Sequence, residues 1–113
     1  MQKAFLVLFL HCSVLYSTAQ SIDPLQLKRS ISNLNYQHEY DKSILKLEEI
    51  LNNDEATAYD RFQAYIQKSL TYKRLFNYTV ALNNLTLAWD EARNDSLNAE
   101  EIKSRVLLER LFI

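Results

Sequence analysis

No glycine occurs anywhere in the 113-residue chain, where ordinary usage of roughly 7% would supply about eight. A backbone without glycine has few routes to positive φ, and that closes off several architectures together. A phosphate-cradling loop, a dinucleotide fingerprint and a calcium-binding EF-hand each need glycine at a position closed to other residues. Type I′ hairpin turns and most β-bulges lose their usual residue, so an all-β fold is disfavoured. Turns must be made by other side chains, and asparagine is the best non-glycine residue for a left-handed helix cap. Asn52, Asn53, Asn77 and Asn94 stand where the apolar periodicity breaks, so left-handed asparagine is expected there.

The stretch from Met1 to Ala19 differs in kind from the rest. It contains no acidic residue, carries Lys3 near the start, and is mostly apolar from Ala4 to Tyr16. Ser17-Thr18-Ala19 then places small residues at −3 and −1 of a cut before Gln20, the pattern of a secretory signal peptide. A membrane anchor needs about 20 apolar residues, more than this stretch supplies. Cys12 follows an apolar run as a lipoprotein cysteine would, but His11 is a poor residue before such a cut. Residues 1–19 are therefore read as a signal peptide and 20–113 as one exported domain, secreted or periplasmic, touching membrane only if the leader stays uncleaved. Cleavage leaves one histidine, His38, and no cysteine, which excludes a disulfide scaffold and thiol catalysis.

Beyond Ile22 the chain reads as five amphipathic helices. Asp23-Pro24 gives an N-cap followed by proline at the first helical position. Leu27, Ile31 and Leu34 then recur on one face. A second helix carries Tyr40, Ile44, Leu47 and Leu51 and ends at Asn52-Asn53. Asp54 or Thr57 caps a third, through Phe62, Tyr65, Ile66, Ser69 and Tyr72 to about Leu75. The fourth presents Tyr78, Ala81, Leu82, Leu85, Ala88, Trp89 and Ala92 as an unbroken stripe, and Asn94-Asp95-Ser96 stops it. Asn98 and Glu101 stand at capping-box spacing before a fifth helix running through Ile102, Val106 and Leu108 to the end. The fold class is all-α.

An internal comparison sharpens this. Tyr40, Ser43, Leu47 and Ile50 align with Tyr78, Ala81, Leu85 and Ala88, and one constant offset relates all four pairs. Helical hairpins repeating at such a period signal an α-solenoid of antiparallel hairpins. Residues 62–95 resemble a tetratricopeptide repeat, a helix–turn–helix unit of fixed length. Tyr65, Ser69 and Tyr72 fall where that family places an aromatic, a small residue and an aromatic on its first helix. Ala81, Leu85 and Ala88 match the small, large and small residues of its second. Ser69 replaces the family's glycine, so helix packing is expected to loosen there; Lys68 and Arg93 replace its leucine and proline. Residues 24–57 resemble a degenerate first repeat, with Ile31 where a small residue belongs, and residues 98–113 the first helix of a third.

Catalytic constellations are scarce. His38 lies in a predicted turn beside Glu39 and Asp41, without the second histidine or cysteine a metal site needs. Glu48-Glu49, Asp54-Glu55, Asp90-Glu91 and Glu100-Glu101 sit near helix ends or on polar faces and read as solvated. The serines have no histidine base and no glycine for a nucleophile elbow. No enzyme activity, cofactor or metal is expected. The 13 basic and 14 acidic residues are evenly mixed, so nucleic acid is not an expected partner. Asn77, Asn84 and Asn94 each head an Asn-X-Ser/Thr sequence.

What remains is binding. The resemblance implies a groove along the first helices of the hairpins that takes a protein or peptide. Its groove positions fall on Gln63, Ile66, Leu70 and Lys73 in the second repeat, and on Leu25, Lys28, Ser32 and Asn35 in the first. The set that clamps a terminal carboxylate in some family members is missing. A leader followed by degenerate repeats is also similar to the extracytoplasmic region of bacterial membrane-anchored signalling regulators, which makes a sensory or scaffold role in a longer protein an expectation. The apolar residues 106–113 supply the alternative, an assembly protein that docks or forms homo-oligomers through its last helix.

Overall fold

The computed structural model describes residues 22–113; the leader read over 1–19, with His11 and Cys12, lies outside them. The described residues form five α-helices and no strand: α1 Pro24–Tyr36, α2 Tyr40–Leu51, α3 Ala58–Arg74, α4 Tyr78–Asp90 and α5 Ala99–Arg110, with a 3-10 turn at Glu91–Asn94 before α5. None is long and apolar enough to cross a membrane.

The helix starts follow local chemistry. Asp23 Oδ1 accepts from the Leu25 amide at 3.0 Å, with Pro24 at the first helical position. Thr57 and Asp60 form a reciprocal capping box on α3: Thr57 Oγ1 accepts from the Asp60 amide at 3.1 Å and Asp60 Oδ2 from the Thr57 amide at 3.0 Å. Asp60 Oδ1 also accepts from the Ile22 amide at 3.0 Å, tying the approach to α1 onto the start of α3. Asn77 Oδ1 caps α4 through the Val80 amide at 3.3 Å. The capping box expected at Asn98 does not form. Its amide and Nδ2 instead donate to Asp95 at 3.2 and 2.8 Å, so its side chain faces back toward the loop. α4 stops short of Ala92, because the chain tightens into the 3-10 turn with Ala92 still buried.

The hairpin turns overturn one expectation. Asn52 and Asn77 have negative φ, and among the described residues those with positive φ are His38 and Phe76, each at 60°. Both turns close in the Schellman manner, in which two amides past the helix reach back to its last carbonyls. His38 N–H bonds Asn35 O at 3.0 Å and Glu39 N–H bonds Leu34 O at 2.8 Å; Phe76 N–H bonds Lys73 O at 3.0 Å and Asn77 N–H bonds Tyr72 O at 2.9 Å. The bonding pattern repeats at the same offset that relates Tyr40 to Tyr78. The asparagines fall outside the left-handed position because Asn77 lies one residue past it, where its side chain caps the next helix.

Each helix packs on its predecessor, and α1 also packs on α3. Leu27, Ile31, Leu47 and Ala64 form one core cluster across α1, α2 and α3. Phe62, Ile66, Leu85, Ala88, Ala92, Ile102 and Val106 form a second across α3, α4 and α5. Ser69 does not loosen its joint. Its hydroxyl donates to the Ala81 carbonyl at 2.9 Å, between two side chains small enough to let the backbones approach. Ile31, standing where the resemblance places a small residue, is fully buried in one cluster with Leu47 and Ala64. Here the small residue sits on the partner helix.

Candidate functional site

The largest concentration of the predicted groove residues is a cleft of about 390 Å³ between the C-terminal halves of α1 and α3 and the turn into α4. Ser32 and Asn35 line it from α1, and Leu70 and Lys73 from α3. Gln67, Arg74, Phe76 and Tyr78 complete the wall. Sequence periodicity did not single out these last four as binding residues. The alignment with the first hairpin did mark the tyrosine of each turn, since Tyr40 and Tyr78 coincide at the repeat offset.

The structure divides the predicted set. Gln63 is displaced to a separate cleft between α3 and α5, beside Glu101 and Arg105. Lys28 and Leu25 are exposed on α1 but line neither cleft. Ile66 is 0% exposed and belongs to the second core cluster. It is not a groove residue, because α3 turns that side toward Leu85 and Ile102. Asn35 is also corrected. Although it borders the cleft, it is 4% exposed and its polar atoms are already engaged.

That engagement is a buried relay linking three helices. Ser43 Oγ of α2 donates to Asn35 Oδ1 at 2.7 Å. Asn35 Nδ2 of α1 donates to Thr71 Oγ1 at 3.0 Å. Thr71 of α3 then donates to the Gln67 carbonyl one turn back, at 2.9 Å. Each buried donor meets an acceptor, which is the condition for a polar group to be tolerated there. The relay fixes α1 against α3 and so sets the width of the cleft.

The rim is cationic and aromatic. Lys73 and Arg74 occupy the last turn of α3, and neither joins an ion pair among the described residues. Lys73 Nζ lies 6.0 Å from the centre of the Phe112 ring, just beyond α5. Phe76 is 78% exposed and Tyr78 45%, with ring centres 6.5 Å apart in an edge-to-face arrangement. The equivalent pair in the first turn, His38 and Tyr40, is also edge-to-face, at 5.8 Å, and His38 Nδ1 lies 3.0 Å from the Tyr40 hydroxyl.

The acidic residues behave less uniformly than expected. Glu91 is not on a solvated face: its side chain is largely buried, with Oε1 held by Arg61 Nε at 3.0 Å and Oε2 left without a partner. The Glu91 hydrogen bond raises the Arg61 pKa above its ordinary value. Burial, then the nearby Glu91 charge, pushes the Tyr65 phenol up. Burial likewise raises Tyr59, whose hydroxyl donates to Glu101 at 3.1 Å. Arg61 also reaches the Ala56 carbonyl at 2.8 Å, so this cluster braces the base of α3. Among the described residues no three of His, Cys, Asp and Glu gather in a metal-holding group. Asn84 is buried with its Nδ2 on the Val80 carbonyl at 2.9 Å, which closes that Asn-X-Thr sequence to a glycan in the folded chain.

Compared with family models, with curated proteins and with solved structures, the chain matches none.

Proposed function

We propose that the chain is a protein–protein interaction module of tetratricopeptide-repeat type that takes a peptide segment in the cleft between α1 and α3. The observation that carries the reading is the make-up of that cleft. It joins an apolar floor at Leu70, exposed aromatic rings at Phe76 and Tyr78, and polar groups at Ser32, Lys73 and Arg74. A peptide groove needs this mixture: rings that contribute contact area at low entropic cost, and a few donors and acceptors that fix register. The repeated hairpin and its repeated Schellman turn support the repeat assignment. The leader pattern supports export, with a sensory or scaffold role in a longer regulator as the expected setting.

Selection of displayed dodecapeptides on the immobilised chain tests the reading. Enriched peptides should lose binding when Leu70→Asp is introduced and the helical circular dichroism signal is unchanged. If nothing is enriched, or if binding is indifferent to Leu70, the cleft is not the site.

A second reading rests on a separate observation. Leu107, Leu108, Leu111 and Phe112 are all exposed on the last turns of α5 and just beyond it. We propose this face as the alternative docking surface, through which the chain assembles with copies of itself or with another protein. Sedimentation across a hundredfold concentration range separates the two: a constant monomer mass removes self-assembly.

A further inference from the structure

We infer that the α1–α3 cleft selects an acidic peptide segment, setting a carboxylate against Lys73 and Arg74 and a neighbouring apolar side chain against Leu70 and Phe76. The inference rests on the interaction-module reading and adds the chemistry of the partner.

Charge is the first argument. Two cations border the cleft and, among the described residues, no carboxylate lines it, in a chain whose formal net charge is −1. Neither cation is neutralised by an ion pair among the described residues, and unlike the other unpaired cations these two stand together at the edge of one cleft. A positive rim above an apolar floor complements a segment that alternates acidic and apolar side chains.

The internal repeat supplies the second argument, because it tests the plainest structural account of those cations. Basic residues in a last helical turn offset the negative end of the helix dipole, and Lys73 and Arg74 stand in such a turn. Yet α1 closes with the same Schellman bonds and has no basic residue in its last turn. At the equivalent positions of the first turn stand Asn35, absorbed in the buried relay, and the exposed Tyr36. The turn therefore closes without cations, so its bonds do not require the pair at 73 and 74.

A nucleic acid also offers anions, but two cations neutralise too few phosphates to hold a strand at ordinary salt. The apolar floor at Leu70 matches a side chain better than a sugar-phosphate backbone.

The test is an array of synthetic dodecapeptides in which Asp or Glu adjoins Leu, Phe or Trp, each paired with an Asn or Gln counterpart, together with an oligothymidylate of the same length. Binding to the full chain is read by fluorescence anisotropy, and the site by amide chemical shifts. Acidic peptides should bind at least tenfold more tightly than their amide counterparts and shift the amides of Ser32, Leu70 and Phe76. The charge-removing pair Lys73→Gln and Arg74→Gln should erase that preference while the thermal melt stays in place. A tenfold rise in salt should weaken the acidic peptides and leave the amides unmoved. Equal affinity for acid and amide peptides in the cleft overturns the inference and leaves the module reading standing. Shifts confined to α5, or binding of the oligonucleotide alone, overturn both.

Discussion

Replacing Asn35 by alanine separates a structural from a binding role for that residue. Asn35 accepts from Ser43 at 2.7 Å and donates to Thr71 at 3.0 Å. The substitution removes both bonds, each worth about 1 kcal/mol net. It also strands the fully buried Ser43 hydroxyl, whose desolvation costs a further amount of roughly 1–3 kcal/mol. At the lower end of that range the total is about 3 kcal/mol. For a domain of this size that lowers Tm by about 12–24 °C. Lys73 occupies the equivalent place in the second turn and has no hydrogen-bonding side-chain partner, so Lys73→Ala should stay within about 0.5 kcal/mol. Urea unfolding followed by far-ultraviolet circular dichroism measures both. Adding Ser43→Ala to Asn35→Ala should cost less than Ser43→Ala alone, with a coupling of about 1 kcal/mol, since the stranded partner is then gone. Equal stability of Asn35→Ala and Lys73→Ala, or strict additivity of the pair, would refute the relay as the element that sets α1 on α3.

Three further outcomes follow from the same structure. Ile66→Ala should destabilise by about 2–4 kcal/mol because the side chain is fully buried in the second cluster, while half-buried Leu70→Ala should cost no more than about half of that in the same urea titration. His38→Gly should stabilise by about 0.5–1 kcal/mol, the relief of a left-handed non-glycine residue less the extra freedom of glycine when unfolded, whereas Gln37→Gly, at negative φ, should destabilise. Tyr59 and Tyr65 hold their protons more tightly folded than unfolded, so stability is fully present below their ordinary pKa of 10.0 and falls as pH rises through the raised folded values; ultraviolet titration should place both phenols above that ordinary value.

How far the sequence reaches can be read residue by residue. Asp23-Pro24 marks a helix start through a short-range bond that one stretch of chain completes by itself, so that start was legible; of the two caps offered for α3, Thr57 forms and Asp54 does not, and Asn77, expected as a left-handed turn residue, caps α4 instead. The apolar face of α4 was legible at Ala81, Leu85 and Ala88, which are buried, whereas Tyr78 and Leu82 of the same stripe are exposed. Asn98 failed because Asp95, three positions back, competes for its side chain, a choice that helix periodicity does not encode. The left-handed positions failed for a related reason. Chain geometry puts positive φ at a fixed place in the Schellman turn, and it imposes that conformation on whichever residue stands there, here His38 and Phe76.

The cleft was legible in part. Ser32, Leu70 and Lys73 were reached through the repeat register, which locates the right side of α1 and α3. Ile66 was misplaced because groove and core lie only about 100° apart on a helix, so a slight rotation of α3 decides between them. Asn35 was misplaced because its burial depends on Ser43 and Thr71, which belong to two other helices. Arg74 and Phe76 gave no periodic signal, since they enter the site through a turn.

The account stands most directly on where a bound peptide lies. A crystal structure of the chain with one of the enriched acidic peptides should show the peptide between α1 and α3, its carboxylate at Lys73 and Arg74 and an apolar side chain on Leu70. A peptide lying instead across Leu107, Leu111 and Phe112 at the end of α5, without touching Leu70 or Ser32, would contradict it.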